Sequence, residues 1–274
     1  MALTDQIVAY WKLDGNGNDS VASFNMTAQG SGFTYVAAKI NTGADLERNN
    51  PNYMSSTASA SFSSAAYSVA FWINGETLGA SVYYIFSKCK NTPTTAGYAI
   101  YSTSNGKIIL QHFVGGADPT LTSTATLSTA TWYHVVITYA SGTATIYING
   151  ASDNSGSLTA FNASTNGQFI GSDDQASNTF DGIVDEVGYW SRALTSTEVS
   201  KLYNSGSGFS YPFQYTITTN ETSTGTEAVT ATYTRVILQD ETSTGTESLN
   251  VTSPAITWSK QTENTSSWAN QTKH

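Results

Sequence analysis

The stretch TWYHVVITYASGTATIYING, residues 131–150, restricts the fold more than any other part of the chain. Trp132–Tyr139 is a run of aromatic and β-branched side chains, which pack well on a pleated surface. Thr143–Asn149 alternates polar with apolar residues, sending successive side chains to opposite faces of a strand. Ser141 and Gly142 separate the two runs, and Asn149-Gly150 offers the positive φ of a second tight turn. A β-hairpin is therefore expected, and a hairpin is stable only when further strands or helices cover it.

Such strands recur. Tyr67–Asn74, Tyr83–Lys88, Tyr98–Ser102, Lys107–Phe113 and Ile183–Trp190 have strand character, separated by Gly, Asn, Ser and Asp. Short strands spaced in this way from Ile7 to about Ser191 predict an all-β antiparallel sandwich or barrel. One helix is expected, in ALTSTEVSKLY. Thr195 and Glu198 have capping-box spacing, and Leu194 and Val199 occupy staple positions. Val199, Leu202 and Tyr203 form an apolar stripe that Gly206 would end.

After Gly208 the character changes. ETSTGTE occurs at 221–227 and again at 241–247, a period of about 20 residues. Each copy reads as a polar turn, the first between Tyr215–Thr219 and Ala228–Thr232, the second between Arg235–Gln239 and Ser248–Thr252. Residues 210–274 are thus expected to form a β-hairpin-rich tail after a sandwich spanning 1–209. Hairpins this poor in apolar residues are marginal alone. The tail is expected to dock on other assembly proteins or sister chains, with Trp258 and Trp268 as anchors and a homo-oligomer as the product.

Composition excludes several partners. Only 11% of residues are charged and the net charge is −9, with no Lys/Arg cluster to neutralise phosphates. Nucleic acid and anionic membrane surfaces are therefore poor partners. No stretch approaches the roughly 18 apolar residues of a membrane span. The opening MALTDQIVAYWKLD lacks the basic and apolar regions of a secretory signal, and Cys89 is the single cysteine. A Ser/Thr/Asn/Gly-rich surface suits a virion or an extracellular surface, reached from the cytoplasm without a signal peptide.

Five stretches, in order, resemble a laminin-G-like, concanavalin-A-like jelly-roll domain over 1–209. They are AYWKLDGNGNDSVASFNMTAQG, AAKINTGADLERNNPNYMS, YSVAFWING, the 131–150 hairpin and FIGSDDQASNTFDGIVDEVGYWSRALTSTEVSKLYNSG. The resemblance implies a concanavalin-A-like antiparallel β-sandwich with one short C-terminal helix. It also implies that Trp72, Trp132, Tyr147 and Trp190 fill the core. The Trp-bearing end of the tail resembles termini of tailed-phage structural proteins.

Some glucanases share this fold and carry Glu, Asp and Glu at alternate positions of one strand. Here the alternating faces read Asp181, Ile183, Asp185 and Gly182, Val184, Glu186, so neither carries that triad and no enzyme is expected. Strict alternation over Ile183–Trp190 places Asp185 inward with Val187 and Tyr189 and Glu186 on the opposite face; Glu186, and Asp181 ahead of the strand, are expected to face solvent. A buried carboxylate needs donors or a cation. The resemblance proposes structural Ca²⁺ near Asp185 and the N-terminal loop, where DGNGNDS offers Asp14, Asn18 and Asp19. Oxygen donors of this kind suit Ca²⁺. Asp173 and Asp174, in GSDDQASN, read as a solvated loop.

Sugar binding in a sandwich needs flat aromatic faces with nearby polar groups. Candidates are Tyr83, Tyr84, Tyr101, His112 and Phe113, with Asn91, Asn105 and Asp118 from loops. Together these features predict a non-enzymatic lectin-like domain that binds a glycan or a surface protein on a virion appendage or surface assembly. The rival reading is a capsid-decorating or fibre subunit without glycan binding.

Overall fold

The computed structural model describes residues 1–78, 82–90, 96–176, 178–224 and 228–238, with the strands from Tyr215 onward given by their backbone. All lie within the compact unit Met1–Asp240. In chain order the first strands are β1 (Ile7–Trp11), β2 (Thr27–Gln29), β3 (Thr34–Ala37), β4 (Thr42–Leu46), β5 (Tyr53–Ser55) and β6 (Tyr67–Gly75). They are followed by β7 (Tyr83–Lys90), β8 (Ala96–Ser102), β9 (Ile108–Phe113), β10 (Thr120–Thr122), β11 (Trp132–Ala140) and β12 (Thr143–Ile148). The last are β13 (Ala151–Ser157), β14 (Phe169–Ile170), β15 (Gly182–Trp190), β16 (Gln214–Thr224) and β17 (Ala228–Leu238), with helix α1 (Ser196–Tyr203) between β15 and β16.

Two antiparallel sheets face each other. The larger has eight strands, ordered β13-β12-β11-β6-β15-β4-β3, with β1 also paired to β15. The smaller has seven, ordered β10-β9-β8-β7-β14-β5-β2. The expected hairpin is β11–β12, with φ of 49° and 79° at Ser141 and Gly142. Asn149-Gly150, at 51° and 80°, turns β12 into β13. Inward side chains such as Trp11, Phe71, Tyr98, Ile137 and Tyr189 fill the interior between the sheets. Trp190 is fully buried, yet it packs with Tyr10, Val199 and Phe213 in a second apolar layer outside the larger sheet. Trp72 and Tyr147 are also buried and Trp132 is half-buried, so of the four expected core aromatics Trp132 is the least covered.

Helix α1 begins as its sequence requires. Thr195 Oγ1 accepts from Glu198 N at 3.3 Å, and Glu198 Oε2 accepts from Thr195 N at 2.8 Å. The C-terminus differs from expectation: Asn204, at φ 48°, is the left-handed cap, and Gly206 falls in the following 3₁₀ turn. Asn tolerates this conformation because its short polar side chain bonds locally. Its Nδ2 donates to Gly208 O at 2.9 Å.

The second layer continues beyond the expected boundary at 209. Phe209 and Phe213 are buried in it, and Tyr10 meets Phe213 edge-on at 5.4 Å. The tail register also differs. β16 pairs with β17 so that Tyr215 opposes Ile237 and Thr219 opposes Tyr233, not residues 228–232. Residues 221–224 of the first ETSTGTE therefore lie within a strand, since their alternation can extend the ladder. The second repeat, Trp258 and Trp268 lie outside the described residues.

Candidate functional site

The carboxylates of VDEV lie at a seam in the larger sheet. β15 pairs with β4 through Gly182–Val184 and with β1 from Val187 onward, so the partner on that edge changes at Asp185 and Glu186. Opposite, the register with β6 slips by one residue between Asp185 and Gly188, and Glu186 adopts φ 52°. This is a β-bulge, which places one extra residue in the strand and interrupts alternation. Val184 and Val187 both remain in the interior, while Asp185 pairs with Trp72 on the outer face.

The expected positions are therefore corrected. Asp185 does not share the inward face of Val187 and Tyr189, and Glu186, only 3% exposed, does not face solvent. Both sit on the outer face beneath the second layer. Asp181 is buried as well, and its Oδ1 accepts from Arg48 N at 3.1 Å. Asp185 Oδ2 accepts from Ile40 N at 2.9 Å, whereas Oδ1 is buried without a hydrogen bond of normal geometry, although the Glu186 backbone N–H lies beside the carboxylate. Burial, opposed by the Ile40 bond and aided by Glu186, pushes the Asp185 carboxyl up to about 8. Glu186 makes no hydrogen bond of normal geometry, although the Tyr10 and Ser210 hydroxyls face it. Burial outweighs them and raises Glu186 to about 7.

The seam admits Asp14 but not the other expected calcium ligands. Asp14 lies close enough for its charge to raise both acids, and it accepts from Thr42 N at 3.1 Å and Asn41 Nδ2 at 3.2 Å. Asp19 organises its own loop. Its Oδ1 accepts from Tyr10 N and Val21 N, both at 3.0 Å, and its Oδ2 from Ala22 N and Phe24 N, both at 3.1 Å. Four backbone donors thus converge on that carboxylate. Asn18 is exposed, its N–H held by Asn16 Oδ1 at 2.9 Å. Among the described residues no three His, Cys, Asp or Glu side chains gather as a metal site. Of the expected ligands, Asp185 and Asp14 lie at the seam, whereas Asp19 holds the backbone of its own loop.

The expected sugar-binding residues divide between two environments. Tyr83 and His112 are interior, so they cannot form an exposed platform. Tyr83 OH accepts from Arg48 Nη1 at 2.5 Å. His112 Nε2 meets Tyr67 OH at 2.8 Å and its Nδ1 meets Thr159 O at 2.7 Å, while burial lowers the imidazole to about 4. Asn105 is exposed in the β8–β9 turn, where its Oδ1 accepts from Thr103 Oγ1 at 2.6 Å. Asp118 accepts from Val114 N at 2.8 Å, and Asn91 is outside the described residues.

Tyr84, Tyr101 and Phe113 do come together, on the outer face of the smaller sheet, where Tyr101 and Phe113 are buried and Tyr84 is half-buried. Tyr84 opposes Tyr101 across β7–β8, with rings 5.6 Å apart at 60°. Phe113, Ala99 and Cys89 join them, flanked by half-buried Val82 and Ile109. The GSDDQ loop borders this patch, because β7 bonds to Gly171 at its start and to Asn178 beyond it. Gly171 N donates to Ile85 O at 2.9 Å, and Tyr84 N to Asn178 O at 3.0 Å. Asp173 is buried here rather than solvated. Asn166 Nδ2 donates to Cys89 O at 2.9 Å and to Asp174 Oδ2 at 2.8 Å, tying the loop to the patch. No local signal in GSDDQASN foretold this; only the bonds from β7 place it.

Two packed antiparallel sheets with an aromatic outer face define a lectin-like sandwich. The concanavalin A-like lectin/glucanases superfamily matches residues 48–200, and the chain belongs to that superfamily. No match is found among curated protein sequences. Among solved structures, the binding domain of Paraclostridial mosquitocidal protein 1 is similar at TM-score 0.60 and 19% identity, over 74% of this chain and 52% of that one. Domain 4 of AbnA, an extracellular arabinanase from Geobacillus stearothermophilus in complex with arabinotriose, is similar at 0.55 and 20%, over 71% and 97%. The binding domain of botulinum neurotoxin DC, in complex with rat synaptotagmin II, is similar at 0.59 and 17%, over 85% and 63%. The chain spans about half the length of the mosquitocidal binding domain, 52%. At these identities the likeness is one of fold.

Proposed function

We propose that the chain is a non-enzymatic recognition domain that binds a glycan on the outer face of its smaller sheet. The observation that carries this is half-buried Tyr84, packed on buried Tyr101, beside the Asp174–Asn166 bond. Aromatic faces stack on sugar C–H groups, and an adjoining carboxylate and amide fix hydroxyls. Likeness to a domain solved with arabinotriose supports the reading, and likeness to toxin binding domains supports recognition in general. The VDEV acids give no competing active site, being buried under the second layer. A glycan array tests the proposal, with binding expected for the full chain and lost in Tyr84→Ala. A clean negative across surface polysaccharides would instead favour a structural fibre or decoration subunit.

Two further parts belong to this proposal. Asp185 and Asp14 would hold a Ca²⁺ that joins the N-terminal and Ile40 loops to β15, a structural role. Its support is the buried Asp185 Oδ1, which makes no hydrogen bond of normal geometry, and a melting temperature unmoved by calcium or EDTA would remove it. The tail would dock the domain in an oligomer or on a virion or extracellular assembly. Because Phe213 belongs to the packed layer, truncation after it should leave a folded sandwich. Loss of assembly in light scattering would support the docking role, and an unchanged oligomer would refute it.

A further inference from the structure

A second pair of aromatic side chains stands on the same outer face, on strands beyond β7. On β14, Ile170 opposes Met54 and Phe86, all three in the interior, so Phe169 projects outward with its partners Ser55 and Ser87. On β5, Tyr53 shares that outward side because Met54 beside it is interior. The Tyr53 and Phe169 rings are 6.3 Å apart and tilted by 45°, and both are half-buried. Edge strand β2 brings polar groups to the pair: Gln29 opposes Tyr53, and Thr27 opposes Ser55. The side chains of Thr27, Gln29 and Ser55 make no hydrogen bond among the described residues, and none of the three is charged. A partly exposed aromatic pair beside two unused hydroxyls and an unused amide suits a sugar ring, which offers C–H groups to the rings and hydroxyls to the polar edge.

Position relative to Tyr84 decides what this pair adds. β14 alone separates β5 from β7, so Tyr53 and Tyr84 stand two strand spacings apart, roughly 10 Å across the sheet. Between them Ser87 is buried beneath the start of the GSDDQ loop, its Oγ donating to Ser172 O at 2.8 Å. One sugar ring cannot reach both places, whereas a chain of several can. Resting on the glycan reading above, we infer that the ligand is an oligosaccharide chain, with one sugar at Tyr84 and another on Tyr53–Phe169. Tyr84 anchors the chain, and the second pair adds affinity only to chains long enough to reach it. Once the first sugar is held, the second contact is intramolecular and its gain follows from effective concentration.

Arabino-, cello- and malto-oligosaccharides, from single sugars to hexamers, test this by calorimetric titration into the full chain. In a series that binds, affinity is expected to rise on the order of tenfold or more between dimer and pentamer. Tyr53→Ala and Phe169→Ala should each flatten that rise while leaving the shortest binding member unchanged, and Tyr84→Ala should abolish binding at every length. If either aromatic variant fails to fold, Gln29→Ala on the edge strand takes its place and should reduce the rise. Affinity independent of length, or a rise unchanged in these variants, overturns the inference and leaves glycan recognition at Tyr84 standing. No binding in any series overturns the inference, and a negative glycan array besides overturns the glycan reading itself.

Discussion

The two outer faces of the sandwich were built from similar strands and met opposite fates. On the larger sheet the N-terminal segment, α1 and residues 209–213 cover the face, so Trp190, Glu186 and Asp185 are buried beneath a second apolar layer. On the smaller sheet the aromatic cluster of Tyr84, Tyr101 and Phe113 is bordered by half-buried Val82 and Ile109 and by a polar loop. Covering a face makes it a stability element; in the cluster on the smaller sheet Tyr101 and Phe113 are buried and Tyr84 is half-buried. Aromatic residues occur on both, so their presence alone does not say which face binds.

The largest expected effect breaks the covered face. Arg192 joins the N-terminus to α1: its guanidinium reaches Glu198 through two bonds, at 2.9 and 2.6 Å, and donates to Ala2 O and Asp5 O. Arg192→Ala leaves the buried Glu198 unpaired, and should cost about 3–5 kcal/mol in urea unfolding. A loss below about 1 kcal/mol would mean the ion pair behaves as a surface one, and that this layer is not closed.

Removing a buried charge should have the opposite sign. Asp185→Asn, assayed in EDTA near pH 8, is expected to stabilise by about 1–3 kcal/mol by removing an incompletely satisfied buried carboxylate. The same variant should lose any calcium-dependent rise in melting temperature. Stabilisation in EDTA with the calcium response intact would separate the two roles assigned to Asp185.

pH resolves the charges further. Asp185 and Glu186 have raised folded values, about 8 and 7, so their contribution is full below the unfolded carboxylate range and declines as pH rises through those values. His134 is the reverse: burial lowers it to about 3, and its contribution is lost as pH falls from the ordinary histidine value toward that point. In EDTA, melting temperature should therefore decline between about pH 6.5 and 8 in the parent. The decline should be shallower in Asp185→Asn. A flat parent profile there would show that the seam is hydrated.

The smallest stability effect is expected on the outer face of the smaller sheet. Tyr84 is half-buried, so Tyr84→Ala should cost only about 1 kcal/mol while removing glycan binding. A cost like that of Arg192→Ala would show that this face, too, serves mainly to hold the fold.

Much of the architecture was legible locally. The β11–β12 hairpin follows from aromatic and β-branched runs meeting Ser141 and Gly142, and the start of α1 follows from Thr195 and Glu198. The site was less legible. Tyr84, Tyr101 and Phe113 could be named as aromatic candidates, but Tyr83 and His112 looked equivalent to them and are interior. Glu186 shows the reason most directly. Strict alternation assigns it to solvent, while a bulge carries both it and Asp185 beneath the outer layer.

The sequence by itself determined strand character, turn positions, the helix cap and the family pattern, because these depend on neighbours within a few residues. Only the tertiary structure decided where β15 changes partners, which carboxylates Asp185 meets and which aromatic side chains stay partly exposed. Asp185 bonds to Ile40 across 145 residues of chain, and Asn166 meets Cys89 across 77. Contacts so distant arise from packing one sheet on another and covering one outer face. No local periodicity encodes that choice.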